Sequence, residues 1–399
     1  MKKILVLGGD HFTIPVVEAA HKQGYYVITC DYLPDNVAHK YSDEFINFST
    51  TDKEGILEWA KSNPIDGVVT FTDSGVVTTA YLQHHLGLPQ IGPLKSVEIL
   101  QNKARFRKFL TDNGFIVPKA KGFSNKEDAL TSTDFFMLPV IVKPVDAAGS
   151  KGVTKVSEWS ELEAAIDWAI KFSFSGDFII ESFIEKQGCS SDSDCFSVNG
   201  QFKFLSFSAQ RFDEKAAGEY TPAAYSWPST LGKTAEEELS RELQRLITLL
   251  GMKTTVYNVE TRVGTDGKPY IMEISPRGGG NRLSEMMRLA TGVDMITAAV
   301  RAAVGDTVLD VEQKPLDGNW AEIIVHADTT GILDCIEVNP QMESFVKEKD
   351  FWFKKGDSVR EFQSARDAIG TLVLKFDDAE KLEEAIASIK DWLSVRVKK

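Results

Sequence analysis

Two glutamates, Glu260 and Glu273, stand on either side of Asp266-Gly267 in the stretch Tyr257–Ser275, which reads YNVETRVGTDGKPYIMEIS. Asp-Gly between alternating apolar residues is a strong signal for a two-residue hairpin turn. A turn centred there sets Glu260 opposite Glu273 and Asn258 opposite Ser275. Strand alternation then puts Asn258, Glu260, Arg262, Glu273 and Ser275 on one face, and Val259, Val263, Tyr270, Met272 and Ile274 on a core face. Carboxylates directly opposite each other repel. A hard cation such as magnesium removes that cost, because it binds through one or two carboxylates plus phosphate and water oxygens. A solvated face on which Arg262 neutralises the acids explains the same residues, and a register slip of one residue would part the glutamates.

The hairpin runs into Pro276-Arg277-Gly278-Gly279-Gly280-Asn281-Arg282. Guanidinium groups suit carboxylate or phosphate, and glycines let the backbone approach a ligand, so Arg277 and Arg282 are candidate ligand contacts. The alternative is a flexible turn with surface arginines. A second constellation is Pro139-Val-Ile-Val-Lys143-Pro-Val-Asp-Ala-Ala148-Gly149-Ser150-Lys151-Gly152. Lys143 closes an apolar strand beside a glycine loop, where a lysine and the N–H groups of Ala148–Ser150 could hold phosphate oxygens. A plain hairpin with an edge lysine remains open. Gly232-Lys233-Thr234 imitates the end of a P-loop, but Trp227 stands where the earlier glycine is required, so the match is chance.

These residues need a scaffold. The 399 residues allow about two to four domains. The net charge of −13 argues against nucleic acid or an anionic membrane as partner. No run approaches the ~20 apolar residues that span a bilayer, and the four scattered cysteines form no CxxC pair. A cytoplasmic protein with reduced thiols is expected.

Residues 1–95 alternate strand and helix: strands at Ile4–Leu7, Tyr26–Cys30 and Gly67–Phe71, with a helix at Lys53–Lys61. This is the pattern of a doubly wound domain. Gly8-Gly9 lacks the GxGxxG spacing, so Asp31 alone makes a weak case for a dinucleotide. Further on come a helix at 96–114 with Ser96 as N-cap, strands at 140–143, 153–156 and 178–181, and helices at 160–172 and 236–250. Residues 196–212 read as phenylalanine-rich sheet core. From about 306, strands near 320–326, 332–338 and 370–376 precede a helix at 379–395, an α+β closing segment.

The order of these pieces resembles the ATP-grasp superfamily: a lysine-bearing helix, VIVKP with its glycine loop, ESFIE, then Glu…ExxPR, colinear over roughly 97–305. The resemblance implies an α/β plus α+β chain. It comprises a Rossmann-like pre-ATP-grasp domain (1–95), an ATP-grasp domain (96–305, with a mobile lobe about 115–185) and a C-terminal α+β domain (306–399). Lys103 and Lys143 resemble the phosphate-binding lysines, and Gly149–Gly152 the mobile loop. Glu181, Ser182, Phe183 and Ile184 resemble the adenine-reading hinge, with Glu185 as ribose candidate. Glu260 and Glu273 resemble magnesium ligands, and Arg277 the arginine that steadies a carboxylate or tetrahedral intermediate. The family's ExNPR is Glu273-Ile274-Ser275-Pro276-Arg277 here, so Ser275 replaces an asparagine ligand and Asn258 opposite is a candidate substitute.

The resemblance further implies an ADP-forming ligase that uses ATP and Mg²⁺, two ions per site with Mn²⁺ as a possible substitute. It would join a small carboxylate, such as an amino acid, to an amine through an acyl phosphate. Arg211, Tyr220, Tyr225 and Trp227 are candidate pocket-wall residues, and a partly buried loop explains them equally well; Asp73 faces the cleft or caps a turn. A homodimer is compatible with the resemblance. Bicarbonate as acceptor, or nucleotide binding without catalysis, are the rival expectations.

Overall fold

A computed structural model describes residues 1–218, 220–308 and 310–398. The chain begins with β1 (Lys3–Leu7), α1 (Ile14–Lys22), β2 (Tyr26–Cys30), β3 (Glu44–Ile46), α2 (Lys53–Ser62), β4 (Gly67–Thr70) and α3 (Val76–Leu86). The strands pair in parallel in the order β3-β2-β1-β4. The apolar runs of β1 and β4 are buried on both faces because helices cover the sheet. Strand β3, three residues at the edge, was not expected. Chain direction across the sheet reverses between β1 and β4, so the crevice beyond their C-terminal ends opens between Gly8–His11 and Phe71–Ser74.

The single helix expected over 96–114 is two: α4 (Leu94–Leu100) and α5 (Lys103–Asp112). Asn102 breaks it, since its side chain caps the second helix by accepting from Arg105 N. Ser96 is no cap; its hydroxyl donates to Leu250 O at 2.6 Å. The break sets Lys103 at the first turn of α5.

A separate lobe follows: β5 (Ala120–Phe123), α6 (Lys126–Leu130), β6 (Val140–Pro144), β7 (Thr154–Val156), α7 (Leu162–Phe172) and β8 (Phe178–Ser182). Its antiparallel sheet, β5-β8-β6-β7, packs its own core around Val140, Val142, Ile166 and Phe178. Then come β9 (Ser191–Val198), β10 (Gln201–Phe204), β11 (Ala209–Phe212), β12 (Pro222–Trp227), α8 (Lys233–Leu249), β13 (Thr255–Val263), β14 (Pro269–Ser275), α9 (Leu283–Thr291) and α10 (Met295–Ala303). One sheet is β10-β9-β13-β14, with Phe196 and Phe204 fully buried in its core.

The last elements are β15 (Asn319–His326), β16 (Gly331–Val338), β17 (Val346–Phe351), β18 (Ser358–Val359), β19 (Ala368–Phe376), α11 (Ala379–Ala387), α12 (Ile389–Trp392) and β20 (Leu393–Lys398). A five-stranded sheet, β11-β12-β15-β19-β17, joins strands from both sides of residue 306. The helix expected to run to 395 ends early. Leu393-Ser-Val-Arg-Val alternates with period two, packs Val395 and Val397 inward and pairs with β16 as a strand. Among the described residues no helix is long and apolar enough to cross a membrane.

The hairpin of β13 and β14 carries two departures that cancel. Gly264 N donates to Lys268 O, so the connection holds three residues, with Gly267 left-handed at φ 75°, where glycine is favoured. A β-bulge after Glu260 then restores the lost residue. Glu260 still faces Glu273 and Asn258 still faces Ser275. Beyond the bulge Thr261 faces Ile271 and Arg262 faces Tyr270. Ile271 therefore joins the core with Val259 and Ile274, the place expected for Tyr270 and Met272.

Candidate active site

Three strands line up their acids. Glu260 on β13 is the direct partner of Glu273 on β14 and of Asp192 on β9. The next row is Asp194, Asn258 and Ser275. Directly paired residues share a sheet face, so Asp192, Glu260 and Glu273 form one acidic row. Burial pushes the Glu260 carboxyl up, the Glu273 charge adding to it, and takes Asp192 to about 7, with the Glu260 charge adding. Lys103 Nζ, 3.2 Å from Glu273 Oε2, meets only one end of the row. The charges of Arg262 and Lys143 at Glu260 and of Arg277 at Asp192 do not offset burial, and adjacent carboxylates raised in this way are a donor set that fits a hard divalent ion. Sequence motifs did not single out Asp192 and Asp194. The alternating Ser191-Asp192-Ser193-Asp194 is the signal that could have found them, since period two puts both acids on one face.

In the second row, Asn258 Nδ2 donates to Asp192 Oδ1 at 2.6 Å and to Asp194 Oδ1 at 3.4 Å. Ser275 is buried; its hydroxyl accepts from Gln101 Nε2 at 2.8 Å and donates to Asp73 Oδ1 at 3.2 Å. Asp194 accepts from Gly279 N at 2.8 and 3.0 Å and from the Ser284 hydroxyl, which pins the glycine run to β9. A Cβ at Gly278 would meet the Phe71 ring at 2.0 Å, so that glycine is a packing requirement.

Both lysines reach the cleft. Lys103 Nζ donates to Ala147 O at 2.9 Å, at the foot of the glycine loop; burial opposes its charge, but Glu273 outweighs that and raises its pKa. Lys143 Nζ lies 2.8 Å from Glu181 Oε2, and Arg107 Nε lies 2.9 Å from Glu181 Oε1 as an ion pair without hydrogen-bond alignment. Burial would raise Glu181, yet the Arg107 and Lys143 charges prevail and hold it at about 2. The Glu181 side chain is thus held in a buried triad with Arg107 and Lys143. Arg107, unforeseen, also donates to Met272 O at 2.9 Å and so ties the lobe to the hairpin.

At the hinge, Ser182 N donates to Lys119 O and Phe183 N to Pro139 O, while Ile184 O accepts from Arg262. Among the described residues Ile184 N–H has no protein acceptor, whereas the Ser182 amide is taken. Glu185 is mostly exposed, 3.8 Å from Lys155, whose ammonium lies over the Phe183 ring at 4.1 Å. In the glycine loop, beyond Ala148, Gly149, Ser150 and Gly152 all have positive φ, and Ser150 Oγ donates to Tyr220 O at 3.0 Å.

The two arginines part company. Arg277 is buried and grips Asp73 with two bonds, Nε–Oδ1 at 2.9 Å and Nη2–Oδ2 at 2.6 Å. Asp73 therefore faces the cleft rather than capping a turn. Arg282 turns toward the five-stranded sheet, with Nη2 2.5 Å from Glu348 Oε2, Nε 3.2 Å from Glu285 Oε2 and Nη1 3.2 Å from Thr371 Oγ1. These three partners separate Arg282 from the role expected beside Arg277. Neither arginine is a surface group on a free turn. Of the wall candidates, Tyr225 and Trp227 are fully buried, and Arg211 reaches Ser226 and Glu383.

A lysine pair, a glycine loop and an acid row between two sheets define an ATP-grasp architecture, and comparison with known proteins agrees. Residues 136–285 match the ATP-grasp domain family model, and 17–90 match that of the ATP-grasp N-terminal domain. The chain belongs to the ATP-grasp superfamily. The L-amino acid ligase of Bacillus licheniformis superposes with a TM-score of 0.83 at 20% identity, covering 100% of this chain and 99% of the other. The biotin carboxylase domain of Hydrogenobacter thermophilus 2-oxoglutarate carboxylase, solved with MgADP and bicarbonate, gives 0.77 at 18%, covering 100% and 91%. The carbamoyl phosphate synthase large chain of Ralstonia nicotianae is 24% identical over 324 residues, 77% of this chain and 30% of that relative. The chain thus spans under a third of the length of such curated relatives.

Proposed function

We propose that this chain is an ATP- and magnesium-dependent, ADP-forming ligase that activates a small carboxylate, such as an amino acid, and joins it to an amine. The observation that carries this reading is the row Asp192–Glu260–Glu273 between Lys103 and the Asp73-held Arg277. Glu260 and Glu273 would hold magnesium, two ions or manganese in their place, which supplies charge neutralisation and alignment of the phosphates. Asn258 or Ser275 could complete that donor set once released from present partners.

Lys103 and Lys143 bind phosphate oxygens and offset their charge. The Ala148–Gly152 loop covers them and keeps water from the activated intermediate. Ile184 N–H meets the base and Glu185 the ribose. A carboxylate oxygen attacks the γ-phosphorus, and the bond to the ADP oxygen breaks. The amine nitrogen then attacks the acyl carbon, loses a proton and expels phosphate with its C–O bond. Arg277 holds the carboxylate in the first step and the oxyanion in the second. Residues 1–95, 96–305 and 306–399 serve as substrate-side, nucleotide and closing units of this device, alone or as a homodimer.

The test is ADP release with Mg·ATP across amino acids singly and in pairs, with mass spectrometry of products. A condensed mass that needs both partners supports the ligase. ADP with bicarbonate alone would favour a carboxylase-like acceptor. Tight Mg·ATP binding with no ADP for any acceptor would sink the catalytic reading.

A further inference from the structure

A second cross-strand row meets the acid row at Asp192. On the five-stranded sheet Gln210 pairs with Tyr225, Tyr225 with Glu322, Glu322 with Val373, and Val373 with Glu348, so these side chains share one face. Tyr225 OH donates to Asp192 Oδ2 at 3.2 Å and Gln210 Nε2 to the same oxygen at 3.3 Å. Asn281 Nδ2 lies 3.3 Å from Tyr225 OH. The row thus runs from the mouth at half-buried Asp192 inward to Glu322, which is 0% exposed.

Among the described residues the hydrogen bonding of this row does not close. Both carboxylate oxygens of Glu322 and the Oε1 of Gln210 are buried with no partner among the described residues. A buried acceptor without a donor is destabilising, and more so when charged, so an orphaned pair on one row marks a place for a donor. Nearby cations do not supply it. Arg282 gives its hydrogen bonds to Glu285, Glu348 and Thr371, and Arg277 gives its fork to Asp73. Burial pushes the Glu322 carboxyl well upward against the opposing charge of Arg282, and the Glu285 and Glu348 charges add to it, so it is held toward the neutral acid.

We propose that this row is the acceptor pocket of the ligase and that it selects an amine carrying a further cationic group, a basic amino acid or a diamine, which Glu322 and Gln210 receive beside Tyr225. The inference rests on the ligase reading for its chemistry but not for its binding. A bound ammonium supplies only donors, which matches a row that offers unpaired acceptors. The reacting nitrogen then lies toward Asp192, where the two rows join.

Calorimetry with L-lysine, putrescine, L-norleucine and L-glutamate, with Mg·ADP present, tests it on wild type and on Glu322→Gln. The expected result is binding of the two cationic probes about tenfold or more tighter than L-norleucine. That ratio collapses in Glu322→Gln while the melting temperature holds or rises, since a buried unpaired acid has been removed. Equal affinity for cationic and neutral probes, or a ratio that survives in Glu322→Gln or Glu322→Leu, overturns the inference. ADP release with neutral amines only would leave the ligase reading standing and overturn the pocket. Selective binding of lysine by a protein that binds no Mg·ATP would keep the pocket and overturn the ligase.

Discussion

Asp73 and Arg277 meet through two hydrogen bonds, of 2.9 and 2.6 Å, across 204 residues of sequence. The carboxylate belongs to the crevice beyond β4, the guanidinium to the end of the metal-side hairpin. Asp73 also accepts from Ser275, so one carboxylate locks the first unit onto the hairpin. It takes the Nε–Nη2 edge of the guanidinium and so orients the N–H groups that remain on Nη1 and Nη2. Asp73→Asn should weaken the hold on Arg277 and lower kcat/KM for the carboxylate roughly tenfold to a hundredfold. Steady-state kinetics against unchanged circular dichroism checks this; unchanged kcat/KM would remove Asp73 from the positioning role.

Glu273→Gln and Glu260→Gln should each cut ADP release by roughly two orders of magnitude or more, because magnesium loses a charged ligand. Chelation of the wild type should abolish release, and added Mg²⁺ should restore it. Replacing Glu273 also frees Lys103, now 3.2 Å from it. Turnover that survives the chelator would contradict the metal assignment.

The Arg107–Glu181–Lys143 triad makes a stability prediction. Removing the acid leaves two buried cations facing each other, so Glu181→Gln should cost about 3–5 kcal/mol in denaturant titration. Glu181 is held at about 2 in the fold against 4.5 for an ordinary glutamate. A depressed acid contributes stability in full above about pH 4.5 and loses it as pH falls toward 2. Wild type should therefore lose more stability across that window than Glu181→Gln; parallel acid profiles would refute the triad's contribution.

Gly149 sits at φ +68° with open space around it. Gly149→Val meets no clash but strains the backbone in a region where a β-branched residue is disfavoured. The loop should close less completely, so ADP release without condensed product should rise relative to wild type. The ratio of ADP to product, measured by chromatography, reads this out; an unchanged ratio would mean that the loop does not exclude water.

Asp194 accepts from Gly279 N and Ser284 and is fully buried. Asp194→Ala should destabilise the protein by about 2–4 kcal/mol by orphaning those donors. It should also raise KM, since the glycine run carries Arg277. Thermal melts and kinetics together separate the two effects.

Local pattern made much of this legible. Alternation in Thr255–Val263 and Pro269–Ser275, a glycine turn and the colinear order of lysine helix, glycine loop and ExxPR are properties of neighbouring residues, so the sequence alone carried the ATP-grasp fold and the Glu260–Glu273 pairing. That pairing survived because a three-residue connection and a bulge offset each other, which no period-two count reveals. The alternating acids of Ser191–Asp194 were also readable, but only pairing with β13 shows that they border the glutamates.

What the tertiary structure decided concerns partners far apart in the chain. Arg277 and Arg282 stand five residues apart and are alike in type. One grips Asp73 and the other Glu348, because Arg282 takes a left-handed backbone at the start of α9 and turns toward β17. Glu181 and Glu322 are both buried acids. Arg107 and Lys143 charge the first, while the second has no donor among the described residues, and only the packing of distant elements sets that difference. Ionic and hydrogen-bond pairing depends on distances of a few ångströms between segments that sequence spacing leaves free.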